Sequence, residues 1–159
     1  MAAFIKYEGI DGECDDVNHV KWIDVLSLDW SIHMRAPRLK GQSQRRGAAV
    51  VEDLVLTMEY EKAAPKLQDK CLKGEVIPKL EIEQTANYGG SRATYLKYEL
   101  TNVQVTAFDV NASGNDESPP SVTIANNFEE YKVTYTEYDS EGNKKGNAET
   151  TWKVEKGEK

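Results

Sequence analysis

Hydrophobic and polar residues alternate along most of this chain, and the alternation predicts antiparallel strands nearly from end to end. From Trp22 to His33, the residues Leu26, Leu28, Trp30 and Ile32 alternate with Ser27, Asp29 and Ser31, the period-two pattern of a strand with one buried face. Val50 to Tyr60 sets Leu54, Leu56 and Met58 on one side, and Val76 to Gln84 places Leu80 and Ile82 between Lys79, Glu81 and Glu83. Shorter strands are expected over Ala3 to Glu8 and over Glu149 to Glu155, the latter with Trp152 and Val154 on one face. Two stretches change phase. Tyr95 to Val110 keeps Leu96, Tyr98 and Leu100 in step and then shifts to Val103 and Val105, and Ser121 to Tyr138 slips around Glu129 and Glu130. Each shift predicts an extra residue, a β-bulge that re-aims the strand. The reading amounts to about seven strands.

One helix interrupts them, predicted over 65–73. Pro65 at its first position has the φ a helix needs, Leu67 and Cys71 share its buried face, and Gly74 follows where a left-handed residue ends the helix. Gly89-Gly90 and the run Tyr138 to Asn143 are turn chemistry. With 159 residues and neither repeat nor break in composition, the chain is read as a single domain over 1–159.

Charge changes this picture in one place. The chain has 27 acidic and 20 basic side chains, a net charge of −7, which disfavours nucleic acid as a partner. The segment 35–49 runs against that average. It carries Arg35, Arg38, Lys40, Arg45 and Arg46 with no acidic residue and no periodicity, so the remainder of the chain has 15 basic against 27 acidic residues, or −12. It is expected to be a protruding basic loop.

Candidate chemistry is sparse. His19 and His33 lie at a turn and a strand end, where hydrogen bonds to backbone are the expectation, and no nucleophile elbow accompanies them. The acidic turn Asp11, Glu13, Asp15 and Asp16 fails as a calcium loop, because the sixth and twelfth positions counted from Asp11 are Asp16 and Trp22 rather than Gly and Glu. Two cysteines and two histidines without paired spacing do not make a zinc site, and Cys14 and Cys71 are expected to remain unpaired. No catalytic residue, metal or cofactor is assigned. No apolar run is long enough to span a membrane, and the N-terminus lacks the charged and apolar regions of a signal peptide, so synthesis in the cytosol without membrane insertion is expected. A β-rich domain of this kind leaves strand edges that must be covered or paired, and self-assembly would do both.

The residues resemble a known family, the Hcp tube proteins of the bacterial type VI secretion system. Phe4-Ile5-Lys6 followed by Gly9 to Glu13, then Trp22 to Ser27 running on to Trp30, are similar to the family's opening strands. Asp53-Leu54, Pro65-Lys66-Leu67, Cys71 to Gly74, Tyr95-Leu96-Lys97, Leu100 to Val103, Glu117 to Phe128 and Trp152-Lys153-Val154 continue the likeness in order. Departures are the basic 35–49 segment, Ala64-Pro65, and Ser118-Pro119-Pro120. The resemblance implies a mainly β fold, an antiparallel two-sheet β-barrel with one short flanking helix. It implies a homohexamer whose rings stack into a tube inside a sheath, tipped by a spike protein, carrying small effectors in the lumen. Such a subunit assembles in the bacterial cytoplasm and is secreted without a cleaved signal peptide. It is a structural role, not enzymatic. Under this reading the five basic residues meet acidic groups of the next ring, with Asp11, Glu13, Asp15 and Asp16 as candidate acceptors chosen by charge. Ser27, Asp29 and Ser31 become candidate lumen and effector contacts; alternation alone makes them ordinary solvent-facing positions. A phage-tail tube subunit, which uses the same architecture, and a secreted β-sandwich binding module are the alternatives.

Overall fold

A computed structural model describes residues 2–34, 49–115 and 117–154. Eleven strands and one helix occupy them: β1 (Ala2–Tyr7), β2 (Ile23–Val25), β3 (Ser27–Asp29), β4 (Ile32–Met34), β5 (Ala49–Val51), β6 (Leu54–Glu59), α1 (Ala63–Lys73), β7 (Val76–Tyr88), β8 (Ser91–Asn111), β9 (Ser121–Asn127), β10 (Glu130–Tyr138) and β11 (Lys144–Lys153). The fold is mainly β, with two antiparallel sheets and one short helix. Nine strands form one sheet in the order β2-β1-β7-β8-β9-β6-β3, with β10 on the first half of β8 and β11 beyond it; β4 and β5 form a separate ribbon.

β8 serves both halves of the large sheet. Its residues 96–101 pair with β10 and its residues 104–111 with β9. At the junction Asn102 takes a left-handed φ of 52°, which Asn tolerates better than most side chains, and its Nδ2 donates to Glu129 Oε2 at 2.7 Å. The inward side passes from Leu100 to Val103 on β8, from Leu80 to Ile77 on β7, and from Tyr131 to Phe128 between β10 and β9. The phase changes therefore fall where the pattern placed them, but no residue is inserted there: Ile77 opposes Val103 and Lys79 opposes Thr101 in one unbroken register. All three chains turn together. The register shifts lie elsewhere, between Gln84 and Thr85 on β7 and between Val105 and Ala107 on β8.

The bend lays the two halves face to face around a core drawn from both. Ile5, Tyr7, Leu80, Ile82 and Leu100 meet Leu54, Leu56, Met58, Val122 and Ile124. Across it the Tyr7 hydroxyl donates to Asn126 Oδ1 at 2.7 Å, and Asn126 Nδ2 donates to the carbonyls of Leu54 at 3.1 Å and Ile124 at 3.3 Å. Burial pushes the Tyr7 hydroxyl pKa far up, so it stays a donor. The ends of the sheet path, β2 and β3, are two pieces of one segment separated by Leu26 alone. No ladder joins them, and the sheet returns on itself through the chain.

That crossing corrects the expected long strand from Trp22 to His33. Ile23 and Val25 face in along β2, then Leu28 and Trp30 do so after a one-residue change of phase, leaving Leu26 60% and Ile32 49% exposed. Leu26 donates its N–H to Thr57 O at 2.8 Å where the chain passes from β1 to β6. Breaks here, at Glu52-Asp53 and at Phe128-Glu129 turn about seven expected strands into eleven. The helix begins two residues before Pro65, because Ala63 and Ala64 are small enough to be wholly buried; Pro65 still lies in the first turn, where its missing N–H costs nothing. Gly74 ends the helix at φ 64°, as expected.

Replacing Tyr7 by Phe removes the hydroxyl and leaves Asn126 Oδ1 without its donor. Urea unfolding should show a loss of about 1–3 kcal/mol, the cost of an unsatisfied buried acceptor, with the circular dichroism spectrum unchanged.

Candidate assembly surfaces

The outward side of β3, β6, β9 and the end of β8 is built from small side chains. Ser27 opposes Thr57, which opposes Thr123, which opposes Asp109; one row on, Asp29, Val55, Ala125 and Ala107 follow one another. These stretches contain no Lys or Arg, and Asp29, Glu59 and Asp109 make the face acidic. Ser27 and Asp29 are exposed on it, while Ser31 is exposed beyond the end of β3 and accepts the Glu52 N–H through its carbonyl at 3.1 Å. Trp30 fixes the segment from inside: its Nε1 donates to Glu52 O at 2.9 Å and its ring meets Tyr131 edge-on at 4.9 Å.

The outward side of β7, β8 and β10 is different in kind. Lys79 lies 3.2 Å from Glu81 and 3.4 Å from Glu99, Lys97 lies 3.7 Å from Glu81, and Lys132 lies 3.6 Å from Glu149 across the strands. Both signs alternate, so the charges satisfy one another. Pairs this exposed add little stability, but they keep the face solvated.

The acidic turn between β1 and β2 is partly spoken for. Lys6 holds Asp11 at 3.1 Å and keeps its pKa below the usual carboxylate range. Asp16 lies 2.8 Å from His19 Nδ1 and 2.8 Å from Arg92, and chiefly the His19 hydrogen bond holds its pKa below the usual carboxylate range. His19 is 3% exposed, stacks on Phe4 at 4.2 Å, and sets Nε2 3.2 Å from Glu83. The expected backbone bonding of this ring is thus replaced by two carboxylates, which reach it from the same turn and from β7. His33 faces Glu52 at 3.8 Å on the exposed ribbon. Of the four candidate acceptors, Glu13 and Asp15 remain exposed without an ion pair among the described residues. Arg35, Arg38, Lys40, Arg45 and Arg46 lie outside the described residues; the chain leaves for them from the Met34 and Ala49 pair that ends the ribbon.

Sequence reasoning missed a cleft of about 270 Å³ lined by Glu13, Asp24, Leu26, Glu59, Tyr60 and Glu61. Three separate segments build it, and one of its lining residues is Leu26, which alternation places in the interior. Glu61 Oε1 accepts the Glu13 N–H at 3.3 Å. Burial, with smaller repulsion from Glu13 and Asp24, pushes the Glu61 pKa up to about 7. Gly12 closes the wall: a Cβ there would stand 2.3 Å from Trp22 O and 2.8 Å from Glu61 Oε1. Among the described residues no three of His, Cys, Asp or Glu are disposed to hold a metal ion, and both cysteines are free.

Known proteins share this fold. A family model described as type VI secretion system effector, Hcp, matches residues 4–135. The protein Hcp1 of Pseudomonas aeruginosa is 29% identical over 144 residues, covering 90% of this chain and 88% of that one. Among solved structures, a type six secretion system protein superposes with a TM-score of 0.90 at 26% identity, over 99% of this chain and 98% of the other. Hcp1 from Salmonella typhimurium gives a TM-score of 0.79 at 25% identity, over 99% and 97%.

The raised Glu61 pKa implies a pH dependence whose sign is fixed. A carboxyl whose folded pKa lies above its unfolded value penalises the folded state increasingly as pH rises from about 4.5 through about 7. Glu61→Gln keeps the acceptor for Glu13 N–H and removes the charge. It should stabilise the protein by on the order of 1 kcal/mol at pH 8, after discounting for solvent screening, and by almost nothing at pH 4.5, as read by urea unfolding at both values.

Proposed function

The chain belongs to the Hcp family of type VI secretion tube proteins, and on that premise we propose that it is a tube subunit whose hexameric rings stack head to tail, carry effectors in the lumen and leave the cell with them. The observation that carries this reading is the wall that the two halves of the large sheet make. One outward face is a lattice of paired charges, the other a smooth acidic face of Ser, Thr and Ala with Asp29 at its edge. A tube subunit needs two wet faces of this kind, one for solvent or sheath and one for the lumen.

In this assignment the acidic face lines the lumen, and Ser27, Asp29 and Ser31 meet cargo. Rings of this sort form by heterologous contacts, one surface of each subunit against a different surface of the next. The single domain over 1–159 supplies both surfaces, and its basic segment, with Arg35, Arg38, Lys40, Arg45 and Arg46, sets the register between rings. Complementary charge of this type governs orientation and encounter rate more than raw affinity. The sheath and spike partners of the family complete the machine, and export follows assembly in the bacterial cytoplasm.

Native mass measurement on purified protein should give about 107 kDa, six times 17.9 kDa; a monomer at every concentration, with no rings by electron microscopy, would remove the reading. Reversing Arg45 and Arg46 to Glu should abolish ring stacking in sedimentation while hexamers persist. Asp29→Arg should abolish protection of co-expressed effectors from proteolysis and leave ring assembly intact.

A further inference from the structure

Leu26 and Tyr60 are apolar side chains, 60% and 39% exposed, at the mouth of the cleft formed with Glu13, Asp24, Glu59 and Glu61. Among the described residues no ion pair engages any of these four carboxylates, although the neighbouring Asp11 and Asp16 are both paired. We propose that this cleft is the socket for the basic 35–48 segment of a second copy of the chain, with an Arg guanidinium among the carboxylates and its stem along Leu26 and Tyr60. The proposal rests on the stacked-ring reading above and replaces three of its candidate acceptors, keeping Glu13.

Position argues for it first. β6 runs from the ribbon to the cleft: Asp29 opposes Val55 near its start, where β4 and β5 depart, and Glu59 at its end lines the cleft. The cleft and the point where the ribbon departs thus lie at opposite ends of one strand, roughly 17 Å apart at 3.3–3.4 Å per residue. That is a head-to-tail disposition, in which the donor end of one copy meets the acceptor end of the next. Fourteen residues separate Met34 from Ala49; out and back, they extend at most about 25 Å, enough to enter a neighbour.

Charge argues second. The segment carries five basic residues and no acid, while the rest of the chain stands at −12. The cleft has four carboxylates and no base in its lining. Glu61 is held up to about 7 by burial and acidic neighbours, so an entering cation would relieve a repulsion already present. A guanidinium suits this setting because it is always charged and lays its stem on apolar and aromatic surface.

The test uses the intact protein and a synthetic peptide of residues 35–48, followed by NMR at fixed ionic strength. The peptide should shift the Leu26 and Tyr60 resonances and bind at least tenfold more weakly to Glu59→Lys, while Asp15→Lys, outside the cleft, stays within twofold. Absence of binding by the parent, or binding unchanged by Glu59→Lys, overturns the proposal. In the assembled protein, Glu59→Lys should abolish stacking, and mixing it with the Arg45→Glu, Arg46→Glu variant should restore alternating stacks. If reversal of Arg45 and Arg46 abolishes stacking and Glu59→Lys does not, the socket is refuted and the stacking reading stands. If neither alters stacking, the reading itself falls. A peptide effect that appears only in a chain lacking residues 35–48 means the segment occupies its own cleft, which also overturns the intermolecular form. Should Glu59→Lys fail to fold, Leu26→Ser, an exposed position, must weaken peptide binding at least threefold.

Discussion

The fold turns on a single bend in β8. At Asn102 the strand takes a left-handed residue, and β7 and the β9 to β10 passage change phase beside it without losing register. Had the strand stayed straight, Leu100 and Val105 would lie on opposite sides of one sheet. Instead both face inward, and one continuous ladder supplies both walls of the core. The Tyr7 to Asn126 hydrogen bond then spans the closed space, tying β1 to β9 and, through the Leu54 carbonyl, to β6. A buried polar bridge is weak as glue but selective in geometry, because other registers would leave both groups unpaired.

The thinness of this core explains the composition. Apolar residues make up 39% of the chain and charged ones 30%, because a two-layer wall wets both of its outer faces. The two faces differ in the way they remain wet. One offsets Lys against Glu in adjacent strands, and the other avoids bases altogether. The difference makes the two faces distinguishable, and the β4–β5 ribbon at the start of β6 with the acidic cleft at its end distinguishes the two ends of that strand. Members of the Hcp family share the fold over nearly the whole chain.

Much of the interior was legible because burial repeats locally. Leu54, Leu56 and Met58 on β6, and Leu80 and Ile82 on β7, were placed on the inner face by alternation and are there. Gly74 marked the helix end for a backbone reason that needs no partner. Leu26 misled by the same logic: it keeps the alternation but falls where the chain crosses between two pairings. His19 misled because its partners, Asp16 and Glu83, include a residue 64 positions away. The cleft offered no signal, since Glu13, Asp24 and Glu61 come from three segments that no spacing rule connects.

The amino-acid sequence by itself determined strand content, the helix and its stop, the phase changes near Asn102 and Glu129, and the division of charge between segment and body. These are properties of a residue and its near neighbours, set by side-chain volume, backbone freedom and ionisation. Only the tertiary structure decided how the sheet returns on itself, which carboxylates are paired and which stand together unpaired, and which nominal core residue reaches the surface. Those outcomes depend on contacts between residues as far as 119 positions apart, and such contacts exist only once the chain has folded back.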